Sequence, residues 1–309
     1  MPIAIDVLIK KILPLLVVGI PAISMFIFIV IVIRVFFFKN RNRKNPLTEN
    51  LFRSPGQTLL NQITDLQFKS MEIVFFWCFI PILVYAIFLN AILAQKSLVL
   101  LFLMILVTII ASLYGALRTY AALKRLADLR LAYDGELSVG QELNDLMFDG
   151  FRVFHDIKAK DFNIDHAIVG SSGVFAIETK TRSKRLDAKG ADSVEVLYDG
   201  DSINFPHWKD TEILEQAKGN AQWLSEKLTE AVGEEVKVFP AVAIPGWFII
   251  KTTKKYGPVV YNGKNPKAIF PKCGQNKPLA EDKIQRIAYQ IEQLCRNVEP
   301  ITFNQEKQP

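Results

Sequence analysis

NIDHAIVGSSGVFAIETK, residues 163–180, consists of two apolar runs rich in Ile, Val and Phe with a Gly-Ser-Ser-Gly segment between them. Two β-rich runs on either side of such a segment predict antiparallel strands joined by a tight turn. The strands would be Ile164–Val169 and Val174–Thr179. Both of their faces are mostly apolar, which is typical of strands covered on both sides. The stretch therefore predicts a hairpin that other elements cover on both faces.

The register of this hairpin would place charged residues opposite one another. With the turn centred between the two serines, Asp165 faces Glu178 and Asn163 faces Lys180. Directly opposed side chains have Cβ atoms roughly 5 Å apart, and like charges at such positions are unfavourable. Two carboxylates at the edge of an apolar layer need compensation, which a divalent cation and the nearby Lys180 could supply. The alternative is a partly exposed ladder of ion pairs, and the spacing alone leaves both open.

The first 118 residues have a different composition from the rest of the 309-residue chain. They contain three uncharged apolar segments, each about as long as the roughly 20 residues that cross a bilayer. We therefore predict three transmembrane helices. The first segment lacks a convincing cleavage site, so we interpret it as a retained anchor. The predicted spans are Ile12–Ile33, Ile73–Ala94 and Leu98–Leu117.

Basic residues predict the orientation of these spans. The loop of residues 34–72 carries seven Lys and Arg, and Arg118, Lys124 and Arg125 follow the third span. The positive-inside rule places both regions in the cytoplasm and the N-terminus outside, although Lys10 and Lys11 oppose this orientation. We predict a multi-pass protein of the inner (cytoplasmic) membrane, with the lipid bilayer as a partner and the soluble domain in the cytoplasm.

The basic character of the chain belongs to its membrane part. The formal net charge is +6, whereas residues 119–309 contain 26 Lys and Arg against 27 Asp and Glu. The overall charge of the soluble part therefore gives no support for nucleic-acid binding.

The soluble part alternates strand and helix patterns, which predicts an α/β or α+β domain. Gly135–Met147 is a candidate helix with an apolar stripe of Val139, Leu143 and Leu146, and Glu136 falls on that stripe. Glu136 could cap the N-terminus of its own helix, or it could face the sheet. The further predicted elements are strands Phe151–Ile157 and Val236–Ile244, helices Thr211–Val232 and Glu281–Val298, and a hairpin of Glu195–Tyr198 with Ser202–Phe205.

Four motifs in succession resemble the NERD, or nuclease-related domain, family of the PD-(D/E)xK nuclease superfamily. They are GELSVGQEL, HDI, NIDHAIVGSSGVFAIETK and QAKGNAQWL, and together they cover roughly Tyr133 to Ile250. The resemblance implies an α/β fold with a restriction-endonuclease-like mixed sheet flanked by helices, preceded here by the three transmembrane α-helices. It also implies a metal-dependent nuclease, with DNA as the expected substrate and RNA left open.

Individual residues match the positions of the catalytic site in this family. Asp165 matches the metal-binding Asp, Glu178 and Lys180 match the E-x-K pair, and Glu136 matches the helix acid before the sheet. The resemblance implies that Asp165, Glu178, Glu136 and the carbonyl of Thr179 hold Mg²⁺ or Mn²⁺, with Lys180 acting on the water or the phosphate. Gln216 matches a possible accessory Gln in the following helix.

The sequence departs from the family pattern just after this site. Thr181 stands where Asn is commoner, and Ser183-Lys184-Arg185 replaces a Trp/Gly pattern, so the DNA-facing surface is expected to differ. His166 points to the opposite face of the predicted hairpin and is interpreted as structural. The rival function is a non-catalytic module that binds nucleic acid or protein at the membrane, and the oligomeric state is left undetermined.

These interpretations divide the chain into four parts. They are a membrane region of residues 1–118, a juxtamembrane helix of residues 119–132, a nuclease-related domain of residues 133–250 and a C-terminal extension of residues 251–309 with an amphipathic helix.

Overall fold

The computed structural model describes residues 24, 27–32, 34, 35, 38, 45–93, 98–184, 194–252 and 257–300. The chain forms two compact units. The helical unit consists of Met1–Thr48, Thr64–Leu126 and Pro300–Pro309, and the globular unit consists of Glu49–Ile63 and Ala127–Glu299.

Two long helices pass through the helical unit: α1 (Gln57–Leu93) and α2 (Leu98–Asn144). Trp77 of α1 packs against Tyr114 of α2, with ring centroids 5.7 Å apart. A Cβ atom at Gly115 would collide with the Trp77 ring, so the glycine allows the two helices to approach closely at this point.

One helical stretch among the described residues, Phe102–Asp149, is long and apolar enough to cross a membrane. Its apolar side chains are largely exposed, as at Phe102 (67%) and Leu113 (61%). The predicted three spans are therefore not all shown. Ile12–Ile33 lies mostly outside the described residues, and Ile73–Ala94 is helical within α1 as far as Leu93.

The helix predicted at Gly135–Met147 is not a separate element. It is the end of α2, which runs without a break from the third predicted span through the predicted juxtamembrane helix. Glu136 therefore lies far from the N-terminus of its own helix, and the alternative that it caps this helix is wrong. The helix continues through Asp134 and Gly135. The position of Gly135 in α2 requires a residue without a Cβ atom. A Cβ atom at Gly135 would overlap the Thr181 side chain.

Eleven strands lie in the described residues and form three sheets. The central sheet has the order β10-β8-β4-β3-β2, a second sheet has the order β7-β6-β5-β9, and β1 pairs with β11. The strands are β1 (Leu51–Phe52), β2 (Arg152–Lys158), β3 (Asn163–Gly170), β4 (Gly173–Thr179), β5 (Glu195–Tyr198), β6 (Ile203–Asn204), β7 (Lys209–Asp210), β8 (Val238–Ala243), β9 (Phe248–Lys251), β10 (Val259–Tyr261) and β11 (Arg296–Val298).

The central hairpin has the predicted register. β3 and β4 are antiparallel, with His166 opposite Ile177 and Gly170 opposite Gly173, and continuing this register places Asp165 opposite Glu178. β2 extends the sheet antiparallel to β3, whereas β8 and β10 add parallel strands beyond β4. The sheet is therefore mixed, as the fold prediction requires.

Helices cover both faces of this hairpin, because each face is apolar. On one face, Ala167, Val169, Val174 and Ala176 pack against α3 (Glu212–Val232) and α4 (Glu281–Cys295). The opposite face, with Ile168, Phe175 and Ile177, packs against Val139 and Leu143 at the end of α2 and against Leu146 in the 3-10 helix Asp145–Asp149 that follows it. Every residue of β4, and of β3 after Asn163, is buried.

The globular unit includes two segments that the predicted domain division placed outside the nuclease-related domain. Glu49–Ile63 belongs to it, although residues 34–72 were predicted as a loop of the membrane region, because β1 pairs with β11. The predicted C-terminal extension of residues 251–309 supplies β10 and α4, and α4 packs its buried Ile284, Ile287 and Ile291 into the core of the sheet. The predicted final helix Glu281–Val298 ends at Cys295, and β11 follows directly.

A buried ion pair attaches the first of these segments to the sheet. Arg53 Nη2 lies 2.7 Å from Asp156 Oδ2, and the two side chains are 8% and 0% exposed. Removing one partner of a buried ion pair leaves the other charge uncompensated, which costs about 3–5 kcal/mol.

We therefore expect Arg53→Met to lower the free energy of unfolding of the globular unit by about 3–5 kcal/mol. Urea denaturation of the purified full-length protein, followed by tryptophan fluorescence, measures this loss. Arg286→Met is the matched control, because Arg286 pairs with Glu234 on an exposed surface, and it should leave the midpoint nearly unchanged. Equal midpoints for the two variants would contradict the expectation.

Candidate active site

Three carboxylates meet at the end of the central hairpin. Asp165 lies near the start of β3, Glu178 lies near the end of β4, and Glu136 approaches from α2. Their exposed fractions are 6%, 4% and 7%. The structure thus brings together all three acids that the sequence singled out, and buries each of them.

Backbone and side-chain donors orient Asp165 and Glu178. The Thr179 N–H donates a 2.7 Å hydrogen bond to Asp165 Oδ2. Asn220 Nδ2 of α3 donates to Glu178 Oε2 at 3.0 Å. Each carboxylate therefore has one oxygen that a neutral donor holds in place.

Lys180 lies between Glu178 and α3. Its Nζ is 3.6 Å from Glu178 Oε1 and donates to Gln216 Oε1 at 3.1 Å. The Lys180 side chain is 29% exposed, whereas Glu178 is buried. The E-x-K pair and the accessory Gln216 are thus in direct contact, with the ammonium group on the solvent side.

Glu136 has the least compensated carboxylate of the three. Its Oε2 is buried and has no hydrogen-bond partner among the described residues. Glu136 reaches this position because Gly135 lets α2 lie against Thr181, directly after the E-x-K pair. The hydroxyls of Thr179 and Thr181 are likewise buried without a partner among the described residues.

Burial and mutual repulsion raise the pKa values of the acids. Burial, together with the charges of Asp156 and Glu178, raises the pKa of Glu136 to about 8. Burial raises the pKa of Glu178 to about 7, against the opposing effects of Lys180 and Asn220. Burial and the charges of Glu178 and Glu136 raise the pKa of Asp165 well above its ordinary value. The single ammonium of Lys180 does not offset three buried carboxylates.

Sequence reasoning assigned no role at the site to two residues that matter here. Asn220 lies on the buried stripe of α3 with Ala217, Ala221 and Leu224, so an amide at an apolar position was the available signal. Asp156 is fully buried and forms the ion pair with Arg53. Its charge acts on Glu136. Nothing in local sequence indicates this role, because Arg53 is 103 residues away.

His166 has the structural role that the sequence predicted. Its Nδ1 lies 3.0 Å from His155 Nδ1, and His155 Nε2 lies 3.0 Å from Asn144 Oδ1. Burial lowers the pKa values of both histidines, to about 4 for His155, so both rings are neutral at neutral pH.

The donor set of the acidic cluster suits a hard divalent cation. Carboxylate oxygens are the ligands that Mg²⁺ prefers, and the unpartnered Glu136 Oε2 and the raised pKa of Glu136 show that the protein's own groups do not compensate its ionised form. No group of three or more His, Cys, Asp or Glu side chains in the described part of the chain has the spacing of a complete metal site. A metal here would therefore need a further ligand, for which the adjacent Thr179 carbonyl has the right chemistry.

Comparison with known families agrees with this geometry. The family model for the nuclease-related domain, NERD, matches residues 131–245. The match spans the end of α2, the hairpin, β8 and α3, and it contains all four predicted catalytic residues. No curated protein and no solved structure matches the chain.

The raised pKa values predict how stability depends on pH. Glu136 and Glu178 have ordinary pKa values of 4.5 and values of about 8 and about 7 in the folded protein. Between pH 4.5 and about pH 8 the folded state binds more protons than the unfolded state, so the free energy of unfolding falls as pH rises. The two buried histidines do not contribute above about pH 7, because they are neutral there in both states.

We expect the melting temperature of the protein in EDTA to fall from about pH 7 to about pH 8.5, and Glu136→Gln to flatten this decline. Glu230→Gln, at an exposed position of α3, is the matched control and should keep the wild-type slope. A slope that Glu136→Gln leaves unchanged would contradict the assignment of Glu136 to the buried cluster.

Proposed function

We propose that the globular unit is a metal-dependent nuclease that hydrolyses phosphodiester bonds, with DNA as its substrate class, and that the long helices anchor it to a membrane. The observation that carries the proposal is the buried cluster of Glu136, Asp165 and Glu178 beside Lys180. A protein fold gains no stability from three buried carboxylates with one ammonium group, so this arrangement favours a functional origin. The match of residues 131–245 to the nuclease-related domain supports the same conclusion.

Glu136, Asp165, Glu178 and the Thr179 carbonyl are the groups that would hold Mg²⁺ or Mn²⁺. A bound divalent cation would polarise the scissile phosphate and lower the pKa of a water nucleophile. The Thr179 N–H and the Asn220 amide keep the carboxylates of Asp165 and Glu178 in fixed orientations. Oriented ligands matter because a site that is loose by about 1 Å loses much of its activity.

Lys180 would act on the phosphate side of the site. Gln216 and Glu178 hold its ammonium group from two directions, and the side chain remains partly exposed. It can therefore donate a hydrogen bond to a phosphate oxygen, or orient the attacking water, as negative charge develops. Removing one such donor costs about 10²–10³-fold in rate in other hydrolytic sites.

The test is a cleavage assay with the purified full-length protein in detergent. Supercoiled, linear and single-stranded DNA and RNA are incubated with Mg²⁺, with Mn²⁺ or with EDTA. We expect cleavage only with a divalent cation, and a loss of about 10²-fold or more for Lys180→Met. Lys209→Met, at an exposed lysine of the same unit, is the matched control and should keep wild-type activity.

The rival function is a non-catalytic module that binds nucleic acid or protein. The absence of a complete metal-binding side-chain group in the described residues favours this alternative, as does the nearly neutral charge of residues 119–309. Binding of DNA without cleavage under every cation condition, equal in the wild type and Lys180→Met, would favour the module over the enzyme.

The proposed membrane topology has three spans, at Ile12–Ile33, Ile73–Ala94 and Leu98–Leu117, with the N-terminus outside and the globular unit in the cytoplasm. Its support is the exposed apolar surface of the stretch Phe102–Asp149 and the basic residues of the 34–72 segment.

Topology reporters fused after Asn45 and after Leu131 should both give a cytoplasmic signal. A fusion after Ala94, in the short turn between the second and third spans, should give an external signal and serves as the control. An external signal from either of the first two fusions would overturn the orientation.

A further inference from the structure

Asp156 connects the segment before α1 to the candidate active site. It is fully buried, and its φ angle of 50° lies in the left-handed region that few residues other than glycine adopt. Arg53 donates to its Oδ2 from Nε at 3.0 Å and from Nη2 at 2.7 Å. Thr58 donates its backbone N–H to Oδ2 at 2.6 Å, and its hydroxyl lies 2.8 Å from Oδ1. These donors leave Asp156 little freedom to rotate.

Asp156 is not a further metal ligand, because hydrogen-bond donors already occupy both of its carboxylate oxygens. Although it is the fourth buried acid near Glu136, it is paired with Arg53 and both of its oxygens already accept hydrogen bonds. A metal ligand needs accessible lone pairs, so Asp156 is not an additional ligand of the proposed cation. Besides its charge, which acts on Glu136, Asp156 can influence the site through a residue that contacts it.

Asn163 is such a residue. Its Nδ2 lies 2.9 Å from Asp156 Oδ1 and 3.5 Å from Asp165 Oδ1. An amide nitrogen carries two hydrogens, so Asn163 can donate one to each carboxylate. The Thr179 N–H donates to the other oxygen of Asp165, so the Asp165 carboxylate has a donor on each side, a short one from Thr179 and a long one from Asn163. The contact to Asp156 fixes the amide itself.

The same segment also borders Glu136. Gly56 lies so close to α2 that a Cβ atom there would be 3.7 Å from the Glu136 Cβ and would collide with Tyr133. Gly56 has a φ angle of 69°, a conformation that favours glycine. The chain between Arg53 and Thr58 therefore contacts the surroundings of two of the three clustered acids.

We propose that Asp156 and Asn163 are positioning residues, which Arg53 and Thr58 hold in place and which set the orientation of Asp165 in the candidate active site. The segment Arg53–Thr58 is accordingly part of the functional unit, although it lies outside the matched residues 131–245. The consequence for metal binding rests on the proposed function, whereas the orientation of Asp165 does not.

The test uses the full-length protein in detergent and the variant Asn163→Ala. Asn163 is only partly buried, and Asp156 keeps its Arg53 and Thr58 donors in the variant, so the melting temperature should change little. Asn204→Ala is the matched control, because Asn204 Nδ2 donates to Asp199 at 3.2 Å in the second sheet. Thr58→Val is a second variant, which removes a hydroxyl donor to Asp156 at nearly constant volume.

Two measurements report on orientation. Titration with Mn²⁺, without nucleic acid, gives the affinity of the site for the cation alone. Hydrogen exchange of the peptides that contain Thr179 reports on the hydrogen bond from its N–H to Asp165. We expect Asn163→Ala to weaken Mn²⁺ binding by about 10–100-fold, as loss of an outer-shell partner does elsewhere. It should also accelerate exchange at Thr179, with a change in the same direction for Thr58→Val and none for Asn204→Ala.

The results test the positioning role of Asn163 separately from the proposed nuclease function. Unchanged exchange at Thr179 in Asn163→Ala would overturn the positioning role, and so would unchanged Mn²⁺ affinity in a protein whose wild type binds the ion. If the wild type neither binds Mn²⁺ nor cleaves any substrate, accelerated exchange at Thr179 would still support the positioning role while the proposed nuclease function fails.

Discussion

Four buried carboxylates at one end of the central sheet are the constraint on which the rest of the structure depends. A buried charge is costly unless a partner compensates it. Asp156 is compensated by Arg53 and its neighbouring donors. Glu136, Asp165 and Glu178 share one lysine, two asparagines and one backbone amide, and burial raises their pKa values. Hydrogen-bond donors and Arg53 thus compensate Asp156, whereas the other three acids are only partly compensated and repel one another.

The core of the fold makes this repulsion tolerable. Both faces of the β3–β4 hairpin are covered by helices, and the buried aliphatic side chains there each contribute about 1.5–3 kcal/mol. Because both faces of the hairpin are packed, its register keeps Asp165 opposite Glu178 despite the repulsion between the two carboxylates. Gly135 completes the arrangement, because it lets the long helix α2 place Glu136 against the end of β4.

The globular unit is larger than the part of the chain that matches a known family. Residues 131–245 contain the acids, Lys180, Gln216 and Asn220. Three other contacts involve residues outside this range. Arg53 is the ion-pair partner of Asp156, α4 is the second helix that covers the sheet, and β1 pairs with β11. A protein built from the matched residues alone would lack these contacts. Segments before α1 and after β9 therefore complete the packing around the matched residues.

Local sequence determined the elements whose cause is local. The two apolar runs on either side of Gly170-Ser171-Ser172-Gly173 predicted the hairpin, and centring the turn between the serines predicted the register that places Asp165 opposite Glu178. The apolar stripe predicted α3 within a residue of its observed start. The stripe of Val139, Leu143 and Leu146 placed Glu136 on the buried side of its helix. These features follow from periodicities of two and 3.6 residues, which neighbouring residues specify.

Tertiary structure decided what depends on contacts between distant residues. The start of the helix at Gly135 was predicted wrongly, because a glycine that usually ends a helix is needed here to make room for Thr181. The predicted division at residue 118 missed Glu49–Ile63, which joins the globular unit through an ion pair across 103 residues and a strand pairing with β11. Local patterns carry no information about such pairings, because the free energy that selects them comes from burying groups together only after the chain has folded.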